Sequence, residues 1–136
     1  MKKTYLLTPG PTPIPESVLS GFAQPIIHHR TPQFQALFED VKSGLRELFQ
    51  TQQEVLLLAS TWTGAMDATV SNLFRKGDSV ITVNGGKFGE RWTKIATAYG
   101  LNPYEIKLEP GSALIPLQLK AAIKACPEAR AILFQA

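Results

Sequence analysis

A chain of 136 residues with 14 basic and 11 acidic side chains, formal net charge +3, has room for one ordinary domain or a piece of a larger one, and its basic residues form no block that would ask for nucleic acid. At 44% hydrophobic and 18% charged residues, the composition excludes disorder, a collagen-like repeat and a coiled coil. No apolar run approaches the roughly 18 residues of a membrane helix, and the charged start at Lys2 and Lys3 is followed by too short an apolar stretch, ended by Pro9, to be a secretory signal.

Four prolines, Pro9, Pro11, Pro13 and Pro15, alternate along the first segment, where they restrict φ and remove backbone donors. This stretch reads as an extended arm lying over a surface and ending in a short helix near residues 16–22. His28 and His29 are adjacent, so they lack the i, i+4 spacing of a helical metal pair. With Arg30 they precede a helix, where they read as capping and solvated polar residues; meeting a carboxylate substrate or a subunit interface is the alternative.

Thr31 is placed to cap and Pro32 suits a first helical position. Phe34, Leu37, Phe38, Val41, Leu45, Leu48 and Phe49 then recur in steps of three and four, one apolar stripe on a long amphipathic helix. Its opposite face, with Glu39, Asp40, Lys42, Arg46 and Glu47, reads as solvated surface. The continuous apolar run 54–59 suits a buried strand.

Ser60-Thr61-Trp62-Thr63-Gly64 follows that run and opens a helix through Phe74, with Gly77 suited to a left-handed cap. Residues 79–83 read as a second strand, 84–86 as a turn and 88–99 as a helix with Trp92, Ile95 and Ala96 inward, closed by Gly100. Residues 104–108 alternate like an exposed or edge strand, 117–125 read as a short helix and 129–135 as a fourth strand. The single cysteine, Cys126, excludes an internal disulfide and a multi-thiolate zinc site. It points to packing near a helix end and to a reducing cytoplasm. Strands alternating with helices predict an α/β fold with a mainly parallel sheet. The chain stops at Ala136, at the end of a buried-looking strand, and so reads as cut off.

Two turns are able to carry chemistry. At 60–64, three hydroxyls and the free N–H groups of a helix start make an anion site, most naturally for phosphate. It matches neither a Walker A loop nor a G-x-G-x-x-G fingerprint; an ordinary N-cap is the plain alternative. At 84–92, the glycines permit a close backbone approach and Phe88 is placed to stack on a flat ring. The plain alternative is a hydrophobic staple, with Glu90 and Arg91 as surface charges.

P-G-P-T-P at 9–13, H-R-T-P-Q-F at 29–34, T-G-A-M at 63–66 and N-G-G-K-F-G-E-R at 84–91 occur in one order. Together, over essentially the whole chain, they resemble the amino-terminal part of a class V aminotransferase, within it the alanine–glyoxylate or serine–pyruvate group. The resemblance implies a fold-type I enzyme dependent on pyridoxal 5'-phosphate, three-layered α/β/α, working as a homodimer. It implies that 1–30 form an arm and 31–136 an incomplete large cofactor-binding domain. By position, Thr61, Trp62 and Thr63 hold the cofactor phosphate, Phe88 stacks on the pyridine ring, and Gly10 in the arm lines the substrate entrance. Transfer of an amino group from alanine or serine to glyoxylate or pyruvate is the implied reaction. Cysteine desulfuration and phosphoserine transamination share the fold, and a small anion-binding module without catalysis is the alternative of a different class.

Two departures from the family pattern stand out. Ser60 and Trp62 replace glycines of a turn that usually reads G-S-G-T-G, which would strain Trp62 if the position needs a positive φ. The family's Schiff-base lysine lies beyond Ala136; none of Lys42, Lys76, Lys87, Lys94, Lys107, Lys120 or Lys124 matches it, so no catalytic residue is assigned and the chain alone is expected to be inactive. A piece ending at Ala136 should also leave residues 55–58 without a strand neighbour and expose apolar faces, to be covered by the remainder of the polypeptide or a dimer partner.

Overall fold

In a computed structural model of the chain, residues 5–8 and 10–135 are described. Lys2, Lys3, Pro9 and Ala136, used in the sequence reading, lie outside them. The chain divides into two compact units, Met1–Leu56 and Leu57–Ala136.

The first unit carries α1 (Glu16–Phe22) and α2 (Pro32–Leu48). The start of α2 is as read: Thr31 is extended, its hydroxyl accepts from Phe34 N at 3.3 Å, and Pro32 follows. The apolar stripe forms, yet neither helix has a buried residue. On the charged face, Lys42 is only 13% exposed, paired with Glu39 at 3.3 Å and with Glu54, and its ammonium lies 5.7 Å from the Phe38 ring centre. It is thus held rather than freely solvated.

The second unit holds α3 (Trp62–Leu73), β1 (Ser79–Asn84), α4 (Lys87–Ala98), β2 (Asn102–Lys107), α5 (Pro116–Ala125) and β3 (Ile132–Leu133). The sheet order is β2-β1-β3 and both pairings are parallel, with Val83 opposite Ile106 and Ile81 opposite Ile132. The central strand β1 is buried on both faces. Val80 packs with Val70, Ala96, Leu101 and Leu133 on the α3–α4 side. Ile81 and Val83 pack with Ile106, Ala122 and Cys126 on the α5 side. Alternation along one strand thus feeds two apolar layers, and each fully buried aliphatic side chain contributes about 1.5–3 kcal/mol. Cys126 ends α5 as a packing residue; burial, then its hydrogen bond to Glu128, pushes the thiol pKa up.

Three expectations change. Residues 54–59 form no strand, and Leu56, Leu57 and Leu58 are exposed. An extended run becomes a strand only when a neighbour takes its backbone groups, and none of the three strands pairs with it. For the same reason the last strand shrinks to Ile132–Leu133, the residues that face Ile81 and Thr82. Gly77 does adopt φ +90°, but in the turn after α3 rather than as its cap; the helix ends in Phe74, which is extended.

Candidate functional site

The start of α3 has its polar groups unspent. Thr61 occupies the N-cap position with extended backbone, φ −95° and ψ 173°, but its side chain makes no capping hydrogen bond. The first helical bond of this end runs from Ala65 N to Thr61 O at 3.2 Å, so the N–H groups of Trp62, Thr63 and Gly64 precede it. Trp62 is the first helical residue and 70% exposed. Gln50 is the one described non-glycine residue with positive φ, so Trp62 carries none of the backbone strain its place in a glycine pattern suggested. Ser60 lies across Gly64: a Cβ built on Gly64 would overlap the serine side chain. Leu58, Ser60, Thr61, Trp62 and Ala65 line a shallow cavity of about 290 Å³.

The start of α4 lies at the carboxyl end of β1. Gly86, at φ +154°, is in backbone space open to glycine, and its carbonyl accepts from Glu90 N at 2.8 Å. Gly89 is buried, and a Cβ there would collide with the Val83 carbonyl and lie 3.1 Å from Asn84 Cα. The close approach anticipated from the glycines is therefore, at Gly89, helix against strand. Phe88 is not in either core cluster; it is 45% exposed and lines a crevice of about 380 Å³ with Gly85, Gly86, Leu108, Leu114 and Phe134. This crevice opens at the carboxyl ends of the parallel strands, where open α/β sheets bind ligands. Glu90 pairs with Lys94 at 2.8 Å and Lys87 at 3.2 Å, and these ammonium groups, Lys94 foremost, lower its carboxyl pKa.

Arg91 joins the two starts. Its Nη1 donates to Thr63 Oγ1 at 2.7 Å, and its guanidinium carbon lies 5.5 Å from the centre of the Phe88 ring. Farther along, the Tyr99 hydroxyl donates to Asp67 at 3.1 Å, tying α3 and α4 a second time and raising the tyrosine pKa. The sequence reading gave Arg91 no role of its own and offered a surface charge as the plain alternative. Its i, i+3 spacing from Phe88 was a visible signal; its bond to Thr63 was not. Below α4, Thr93 donates to Glu105 at 2.9 Å, and Thr93 Oγ1 lies 2.8 Å from the buried Thr82 hydroxyl. Asn84 donates to the same Glu105 oxygen at 3.0 Å, fixing the end of β1 against β2.

The remaining sequence candidates belong to the other unit. Gly10 is exposed, with open space where a Cβ would sit. The His28 and His29 rings stack at 4.6 Å, and His28 Nδ1 accepts from Arg30 N at 3.2 Å. The Thr31 hydroxyl donates to His28 O at 2.8 Å, so this segment serves the cap of α2. Among the described residues, no three His, Cys, Asp or Glu side chains gather as a metal site, and no helix is long and apolar enough to cross a membrane.

No family model matches the chain. It is 42% identical over 121 residues to the "Soluble hydrogenase, small subunit" of Synechococcus sp. (strain PCC 6716), covering 89% of this chain and 32% of that protein. It is 40% identical over 131 residues to an "Uncharacterized aminotransferase" of Helicobacter pylori (strain ATCC 700392 / 26695), covering 96% and 35%. Its fold is similar to that of an alanine–glyoxylate aminotransferase from Nostoc sp., with a TM-score of 0.77 at 28% identity, covering 92% of this chain and 35% of that one. The chain thus spans about a third of the length of the curated relatives it matches. By sequence and by fold it resembles the class V aminotransferases, over their amino-terminal third.

Proposed function

We propose that the protein is a pyridoxal-phosphate-dependent aminotransferase moving an amino group from alanine or serine to glyoxylate or pyruvate, and that this chain supplies the phosphate anchor and the ring-stacking side. The observation that carries the reading is the meeting of two helix starts beside the carboxyl edge of a parallel sheet, one rich in unspent donors and one bearing a half-exposed phenyl ring. The likeness to an alanine–glyoxylate aminotransferase supports the choice of substrates.

The residues present fit the cofactor. A phosphate monoester needs several converging donors, and the N–H groups of Trp62, Thr63 and Gly64 with the Thr61 and Thr63 hydroxyls are a set of that chemistry. A pyridine ring needs a flat apolar neighbour, which Phe88 offers. When bound, the cofactor supplies an electron sink for charge developing at the substrate Cα. The α3 start would hold its phosphate against the positive helix end, and Phe88 would fix the plane of its ring. No lysine of this chain is assigned to the chemistry; Lys87 and Lys94 are engaged with Glu90. The resemblance alone assigns the arm around Gly10 to the substrate entrance, residues 31–136 to part of a large domain, and a homodimer to the working enzyme.

The test incubates the full-length enzyme that carries this chain, with pyridoxal phosphate, with alanine or serine and with glyoxylate or pyruvate. Glycine formed from glyoxylate with matching loss of the donor supports the reading. Cofactor binding without transfer for any of these pairs sends the protein to another chemistry of the class. No preference for the phosphorylated cofactor over its unphosphorylated form refutes the anchor.

A further inference from the structure

We infer that Arg91 is a positioning residue that frees the Thr63 proton to join the donors of the α3 start and couples that cradle to Phe88, an assignment resting on the reading of the site given above. A threonine hydroxyl has one proton to give and two lone pairs to accept with, while a guanidinium only donates. At 2.7 Å, Arg91 Nη1 occupies a lone pair of Thr63 Oγ1, so the remaining proton is available to an acceptor. Two threonines within these helices, Thr69 and Thr97, spend that proton on the carbonyl four residues back, Ala65 O at 2.9 Å and Thr93 O at 2.8 Å, and Thr93 spends its own on Glu105. Thr63 is the second residue of α3, and four residues back the chain is not helical. Its proton therefore has no such outlet within the helix. Together with the N–H groups of Trp62, Thr63 and Gly64, it makes the first turn a face of donors, suited to an anion and unsuited to a cation.

The same side chain reaches Phe88. A guanidinium 5.5 Å from the ring centre is within cation–π range, and it restrains the phenyl ring at the mouth of the crevice. Phosphate grip and ring plane, carried by two helices, thus depend on one arginine.

The test titrates the protein with pyridoxamine 5'-phosphate and with pyridoxamine, followed by quenching of tryptophan fluorescence, Trp62 being at the cradle. Neither probe has an aldehyde to react with stray lysines, and the ratio of their dissociation constants isolates what the phosphate adds. Arg91→Met should weaken pyridoxamine phosphate by about tenfold and pyridoxamine by less, contracting the ratio, with Arg91→Lys recovering part of it. Thr63→Val should contract the ratio similarly, and the double variant should lose no more than the larger single loss. A merely structural arginine would weaken both probes alike. An unchanged ratio in Arg91→Met, or losses that multiply in the double variant, overturns the proposal. If Arg91→Met does not fold, an unchanged ratio in Thr63→Val overturns it equally, because the hydroxyl that Arg91 orients then adds nothing. If the unsubstituted protein shows no preference for the phosphorylated probe, the underlying reading fails and this inference with it.

Discussion

The two edges of the parallel sheet are finished in opposite ways. At the amino edge the polar groups are consumed internally. Gly77 N donates to Gly100 O at 2.8 Å, and Asn102 returns to Gly77 O at 2.9 Å. Asp78 accepts from Arg75 N at 2.8 Å and from the Arg130 guanidinium at 2.7 Å, tying the foot of β1 to the segment leading into β3. At the carboxyl edge Gly85 and Gly86 are exposed, Phe88 faces a crevice of about 380 Å³, and the neighbouring α3 start keeps its donors. An edge that satisfies its own polar groups holds the sheet together; an edge that leaves donors and a ring unspent is free to bind.

Gly89 gives the largest effect expected and the sharpest exception, a residue beside the binding edge whose job is packing. Alanine is the better helix former by about 1 kcal/mol. Its Cβ, however, would collide with the Val83 carbonyl, a backbone atom that cannot rotate aside. Overpacking of this kind costs about 1–3 kcal/mol, so Gly89→Ala should be a net loss. Urea denaturation would show a lower midpoint at unchanged slope; a midpoint at or above that of the parent would mean that α4 shifts freely on β1.

Asp78 tests the amino edge and its pH dependence. The Arg75 N–H, and then Arg130, lower its carboxyl pKa in the folded state. A depressed folded pKa stabilises fully above the unfolded carboxylate value of about 3.9, and the contribution is lost as pH falls through the folded value. Asp78→Asn should therefore be less stable than the parent at neutral pH, and the gap in urea midpoints should close as acidification carries the pH down through the lowered folded value of Asp78. A gap that stays constant with pH would show that the carboxylate's charge is not what holds this edge.

Elements written in local pattern were legible. Thr31 and Pro32 announced the start of α2, three- and four-residue steps announced α2 and α4, and β1 was visible as a short apolar run between turns. What depends on a neighbour was legible only in part. Residues 54–59 are as apolar as β1 and read as a strand, yet the family resemblance already left 55–58 without a strand neighbour, and they pair with none of the sheet; β2 begins two residues before its alternation is visible because Asn102 lies opposite Ser79. The site divides the same way. Thr61, Trp62, Thr63 and Phe88 were legible as turn residues after apolar runs. The bond that joins them spans 28 residues, from Arg91 to Thr63, and leaves no local trace.

The smallest stability effect belongs to Thr61, and its value lies in contrast with Thr31. Both are threonines with extended backbone at an N-cap, at the heads of α3 and α2. Thr31 spends its hydroxyl on Phe34 N, so Thr31→Ala should cost about 1 kcal/mol. Thr61 makes no such bond, so Thr61→Ala should leave stability within about 0.5 kcal/mol of the parent. If the cradle is a phosphate site, the order reverses for binding: Thr61→Ala should weaken pyridoxamine 5'-phosphate while Thr31→Ala leaves it unchanged. Equal stability losses at the two threonines would mean that Thr61 is an ordinary cap in solution, and the donors of α3 would then be spent on the helix itself rather than kept for an anion.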